Sequence, residues 1–68
     1  MTTYIATKFK AHVPLICEAV RGNTDLRSNQ KVYKKIYKYY KEQGVNFTGD
    51  AHTDYEIVLD YLYDEGFE

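Results

Sequence analysis

Between Asn29 and Gln43 the chain reads NQKVYKKIYKYYKEQ, and its lysines and apolar residues separate at only one backbone period. Each residue of a helix turns about 100° from the last. With Val32 as reference, Ile36, Tyr33, Tyr37, Tyr39 and Tyr40 fall within an arc of about 160°. Lys31, Lys34, Lys35, Lys38 and Lys41 share the opposite side. Strand alternation would instead put lysines beside Val32 and Ile36 on one face. The segment is therefore read as an amphipathic helix with an apolar, tyrosine-rich side and a basic side, ended by Gly44. Its start has two readings. Thr24 can cap a helix from Asp25, giving 25–43, or Ser28 or Asn29 can cap a later start.

The other elements follow from punctuation. Pro14 suits the first turn of a helix, and Gly22 suits its left-handed cap, so a helix is expected over 14–21. Residues 3–12 show both a four-residue recurrence (Ile5, Phe9, Val13) and an alternation (Ile5, Thr7, Phe9, Ala11), and are read as a helix or an edge strand. Residues 45–52 form a loop with Phe47 turned inward and a turn at Gly49-Asp50. Thr53 and Glu56 have the spacing of a capping box, which starts the last helix at 54–65. Tyr55, Val58, Leu59 and Leu62 make its apolar stripe, and Gly66 ends it. The sequence thus predicts an all-α fold, a small bundle of three to four short helices in one domain spanning 1–68.

A chain of 68 residues buries only about 60% of the surface its unfolded form exposes. Eight of its eleven aromatic residues are tyrosines, which add apolar area to a thin core and are also enriched at interfaces.

Charge is unevenly spread. Residues 1–49 carry nine basic and three acidic side chains, a balance of +6, and residues 50–68 carry seven acidic and no basic ones, a balance of −7. The net −1 hides this asymmetry, which points to a charged partner or to neutralisation inside the fold, with lysines and carboxylates meeting along the helix seams.

No catalytic or cofactor motif is present. A lone Cys17 with His12 and His52 forty residues apart matches no zinc pattern, and the acidic residues do not match a calcium loop. There is no phosphate-binding glycine loop and no nucleophile with triad spacing. The expectation is a protein that is not an enzyme and binds neither metal nor cofactor. No apolar run reaches the roughly 18 residues that cross a membrane, and the first ten residues lack a signal-peptide pattern. A cytoplasmic location, in a cell or an infected host, is expected. The size and the lack of catalytic motifs are similar to those of small bacteriophage accessory proteins that inhibit host machinery, although no residue motif carries the likeness.

Two binding surfaces remain. Glu56, Asp60 and Asp64 form an acidic stripe with Tyr61 beside it and Tyr55 and Tyr63 also between carboxylates, suited to a basic or nucleic-acid-binding protein partner. The lysine face, namely Lys31, Lys34, Lys35, Lys38 and Lys41, with Arg27 in register if the helix extends that far, suits the phosphates of a nucleic acid. Tyr37 and Tyr39 flank that face. Arguing against the second reading, the chain has a pI of about 6.1, far from the basic values usual for nucleic-acid-binding domains. Opposed faces also permit a homo-oligomer, in which the basic face of one copy meets the acidic face of another.

Overall fold

The computed structural model describes residues 4–67. Thr3 and Glu68, which entered the sequence reading, lie outside the described residues. Four α-helices follow one another: α1 (Tyr4–Lys8), α2 (Val13–Val20), α3 (Gln30–Glu42) and α4 (Ala51–Asp64). Short 3-10 turns at Lys10–His12 and Leu26–Ser28 join them, and no strand occurs among the described residues. The fold is all-α, and the ambiguity over 3–12 resolves to helix. Ile5 and Phe9 are buried while Thr7 and Ala11, which strand alternation would place on the same face, are exposed.

The arc of α3 behaves as its periodicity demands. Val32, Ile36 and Tyr40 are buried, and Tyr33, Tyr37 and Tyr39 are half-buried. All five lysines of the opposite side are exposed. The core joins this face to Ile5, Phe9, Ile16, Ala19, Leu26, Tyr55, Val58, Leu62 and Phe67. α2 and α3 both pack against α4.

Two helix starts differ from the sequence reading. α3 begins at Gln30, the later of the two readings, and not at Asp25. The Asp25 carboxylate takes the Arg27 backbone amide at 2.8 Å, which closes residues 26–28 into a 3-10 turn. Asn29 then leaves helical geometry (φ −113°, ψ 82°), and its Oδ1 accepts from the Val32 amide. Arg27 is therefore outside α3.

α4 begins at Ala51, three residues earlier than the capping box implies. Asp50 caps it by accepting from the Thr53 amide at 2.8 Å, and the amide holds the Asp50 carboxyl below its usual pKa. Thr53 lies inside the helix, and Glu56 reaches His52 at 3.4 Å in place of a backbone amide.

The helix endings follow the sequence closely. Gly44 and Gly66 take positive φ (94° and 99°), the left-handed conformation that other residues adopt only with strain. The chain then folds back, with the Val45 amide donating to the Tyr40 carbonyl at 3.1 Å and the Phe67 amide to the Leu62 carbonyl at 3.2 Å. These are the six-to-one bonds of a Schellman ending. Phe67 is thereby delivered into the core.

Candidate functional site

α4 divides its surface between packing and solvent. Tyr55, Val58 and Leu62 are buried, and Glu56, Asp60, Tyr61, Tyr63 and Asp64 are exposed. Tyr61 and Tyr63 keep 42% and 56% of their surface open to solvent, and they are the exposed large hydrophobic residues of the described chain. Both lie among unpaired carboxylates. Asp60 and Asp64 have no basic group within ion-pair distance among the described residues, and Glu56 meets only His52, whose charge depends on its protonation.

Tyr61 is held in place by Tyr40, whose ring centre lies 5.2 Å away. The Tyr40 hydroxyl donates to Glu65 Oε2 at 2.9 Å. Burial, and then the Glu65 carboxylate, push the Tyr40 hydroxyl well above the usual tyrosine pKa. An anchored ring beside an exposed one gives this end of α4 a pre-ordered aromatic surface, and a pre-ordered surface loses little further entropy in any contact it makes.

The lysine face is exposed, and none of its five lysines has a carboxylate partner within ion-pair distance among the described residues. The ion pairs between described residues are Glu18–Arg21, Asp25–Arg27 and His52–Glu56, each within four residues in sequence. The expectation that lysines and carboxylates meet along the seam of α3 and α4 is corrected. The seam is aromatic: Tyr33 lies edge-on to Tyr55 at 5.6 Å, and Tyr40 lies against Tyr61. The lysines point the other way because the tyrosines take the inner arc.

Arg27 does not join the lysine face. Its guanidinium donates to both Asp25 oxygens at 2.8–3.2 Å and lies 4.3 Å over the Tyr55 ring. This pairing draws the Asp25 carboxyl down to a pKa of about 2. Tyr37 stacks on Phe47 at 4.3 Å and is half-buried, so one of the two tyrosines expected to flank the basic face is already occupied.

Two residues escaped the sequence reading. Asp54 is 4% exposed, and its carboxylate accepts from the Thr48 amide, the Thr48 hydroxyl and the Gly49 amide at 2.7–3.1 Å. It ties the loop to the first turn of α4, and no pattern in the sequence signals it. Glu65 binds Tyr40 across two helices, which spacing within either helix cannot reveal. The sequence sets Tyr63 between carboxylates of the acidic helix, and a turn of about 100° per residue places it about 60° from Asp60, inside the acidic stripe. Among the described residues no group of three or more His, Cys, Asp or Glu side chains is arranged to hold a metal ion, and no helix is long and apolar enough to cross a membrane.

No protein-family model, curated protein or solved structure matches the chain.

Proposed function

We propose that this chain is a non-enzymatic, cytoplasmic protein-binding regulator that engages a basic partner protein through the outer face of α4. The observation that carries the reading is the pairing of exposure and charge on that face. Tyr61 and Tyr63 stand open beside Asp60 and Asp64, which have no internal counter-ion among the described residues. Tyrosines surrounded by carboxylates combine apolar contact area with steering of a cationic surface. Tyr63 supplies the central contact, and the carboxylates set orientation and encounter rate. Glu56 contributes at the edge of the patch.

Retention of a basic protein from lysate by the immobilised chain, compared with the Asp60→Lys/Asp64→Lys variant, tests the assignment. The variant is expected to lose the partner while keeping its helical circular dichroism. Tyr63→Ala is expected to weaken the complex by about 1–2 kcal/mol, the range of a central aromatic contact. Equal recovery by wild type and the double-lysine variant removes the face from consideration.

A second reading is favoured by one observation, the exposed and unpaired lysine face of α3. Its ligand is a nucleic-acid backbone. The expected signature is retention at low salt that falls steeply as salt rises and is abolished by Lys34→Glu/Lys38→Glu. No measurable retention at low salt eliminates it.

A further inference from the structure

An open cleft of about 280 Å³ lies at the C-terminal ends of α3 and α4, lined by Tyr39, Tyr40, Gly44, Val45, Tyr61 and Glu65, with no lysine or arginine in its lining. That volume lies just under the roughly 300–1,000 Å³ of sites enclosing a whole small molecule, and it suits a single side chain.

The chain already contains an occupied arrangement of the same chemistry. In the 3-10 turn before α3, a tyrosine ring and a carboxylate together hold the Arg27 guanidinium, 4.3 Å over Tyr55 and hydrogen-bonded to both oxygens of Asp25. At the cleft, the Tyr61 ring and the Glu65 carboxylate lie one helical turn apart, the Glu65 amide donating to the Tyr61 carbonyl at 3.1 Å. The Tyr40 hydroxyl holds Glu65 Oε2, and no donor among the described residues reaches Oε1. Ring and anion are present and positioned, and the cation is not supplied by the lining residues.

We infer that this cleft receives an arginine side chain from a basic segment of the partner protein. The inference rests on the protein-binding reading and names the chemistry of the contact. Arginine fits better than lysine because its planar guanidinium stacks on aromatic faces, meets a carboxylate along one edge and is more weakly hydrated. The Tyr40 bond uses one of the carboxylate's acceptor positions and leaves others open, since a carboxylate offers about four. Asp64, exposed beside Glu65, attracts the neighbouring basic residues of the same segment.

The test is a titration of isotope-labelled chain, followed by amide resonances, with a blocked peptide of alternating glycine and arginine. Two control peptides carry citrulline, which keeps the shape without the charge, or lysine. The arginine peptide is expected to shift amides of residues 43–45 and 61–66. The citrulline peptide is expected to bind at least about tenfold more weakly, as for loss of a charge-assisted bond. Glu65→Gln, which keeps an acceptor for the Tyr40 hydroxyl, is expected to weaken the arginine peptide by about tenfold. Tyr61→Ala is expected to weaken it about two- to fivefold. Equal affinity for the citrulline or lysine peptide, an unaffected Glu65→Gln variant, or shifts confined to residues 56–60 would overturn the inference. The regulator reading fails separately, when the Asp60→Lys/Asp64→Lys variant keeps the lysate partner.

Discussion

The Tyr40 hydroxyl donates to Glu65 at 2.9 Å, joining residues that lie 25 positions apart and end two different helices. The same tyrosine presents its ring to Tyr61. One buried side chain therefore orders both the carboxylate and the exposed aromatic of the candidate site.

Tyr40→Phe is expected to destabilise the fold by about 0.5–1.5 kcal/mol at neutral pH through loss of that bond. The variant also tests the pH dependence. Tyr40 is held protonated in the fold above its usual value of 10.0. A group whose pKa is raised by folding stabilises fully below its unfolded pKa, and that contribution is lost as pH rises past it. Thermal melts from neutral pH to above pH 10.0 should show stability falling on the alkaline side, with a shallower fall in Tyr40→Phe. Some slope should persist, because burial also raises Tyr33 and Tyr55.

Asp54→Ala removes the carboxylate that gathers Thr48 and Gly49 onto α4. Three hydrogen bonds to a buried anion disappear together, and water can replace them only at the exposed Thr48 and Gly49 groups. The expected loss is about 2–3 kcal/mol, read as a lower urea midpoint at unchanged slope.

Tyr55→Phe separates two roles of one residue. Its hydroxyl accepts from the Leu26 amide at 2.8 Å, and its ring carries the Arg27 guanidinium. Phenylalanine keeps the ring and leaves the amide of a fully buried residue without its acceptor. A destabilisation of about 1–3 kcal/mol is expected, with Tyr55→Leu larger because the stacking is lost as well.

Gly44→Ala probes the ending of α3. A methyl group there would meet no atom within 4 Å, so crowding is not at issue. The Gly44 φ of 94° lies in the left-handed region, and holding alanine there is expected to destabilise by about 1–2 kcal/mol. Gly44→Asn should be milder, because asparagine visits the left-handed region more readily.

What could be read in advance follows from the range of each interaction. The two faces of α3 are a property of spacing within one segment, and the glycine endings at Gly44 and Gly66 depend on the few residues before them. Both were legible. The start of α4 was not, because Asp50 and Thr53 are both competent caps. The structure has Asp50 as the cap and turns Asp54 back to the loop, which leaves Thr53 inside the helix. The start of α3 was similarly divided between Thr24, capping a helix from Asp25, and Ser28 or Asn29, capping a later one. Asp25 is engaged by Arg27, and the turn that follows is anchored by Tyr55, 29 residues from Leu26. At the site, the acidic stripe was visible on a helical wheel. The contacts of Glu65 and Tyr40 depend on how two helices meet, and no residue pattern encodes that.

The reach of the hydrogen bonds has a kinetic consequence. Of the side-chain bonds described above, only Leu26–Tyr55 and Tyr40–Glu65 cross long stretches of chain, and the others close within six residues. Little loop-closure entropy must be lost before such contacts form, so relaxation on the microsecond-to-millisecond scale typical of low-contact-order helical proteins is expected. Tyr40 and Tyr55 then act as the two late fasteners, and their phenylalanine variants should speed unfolding more than they slow folding.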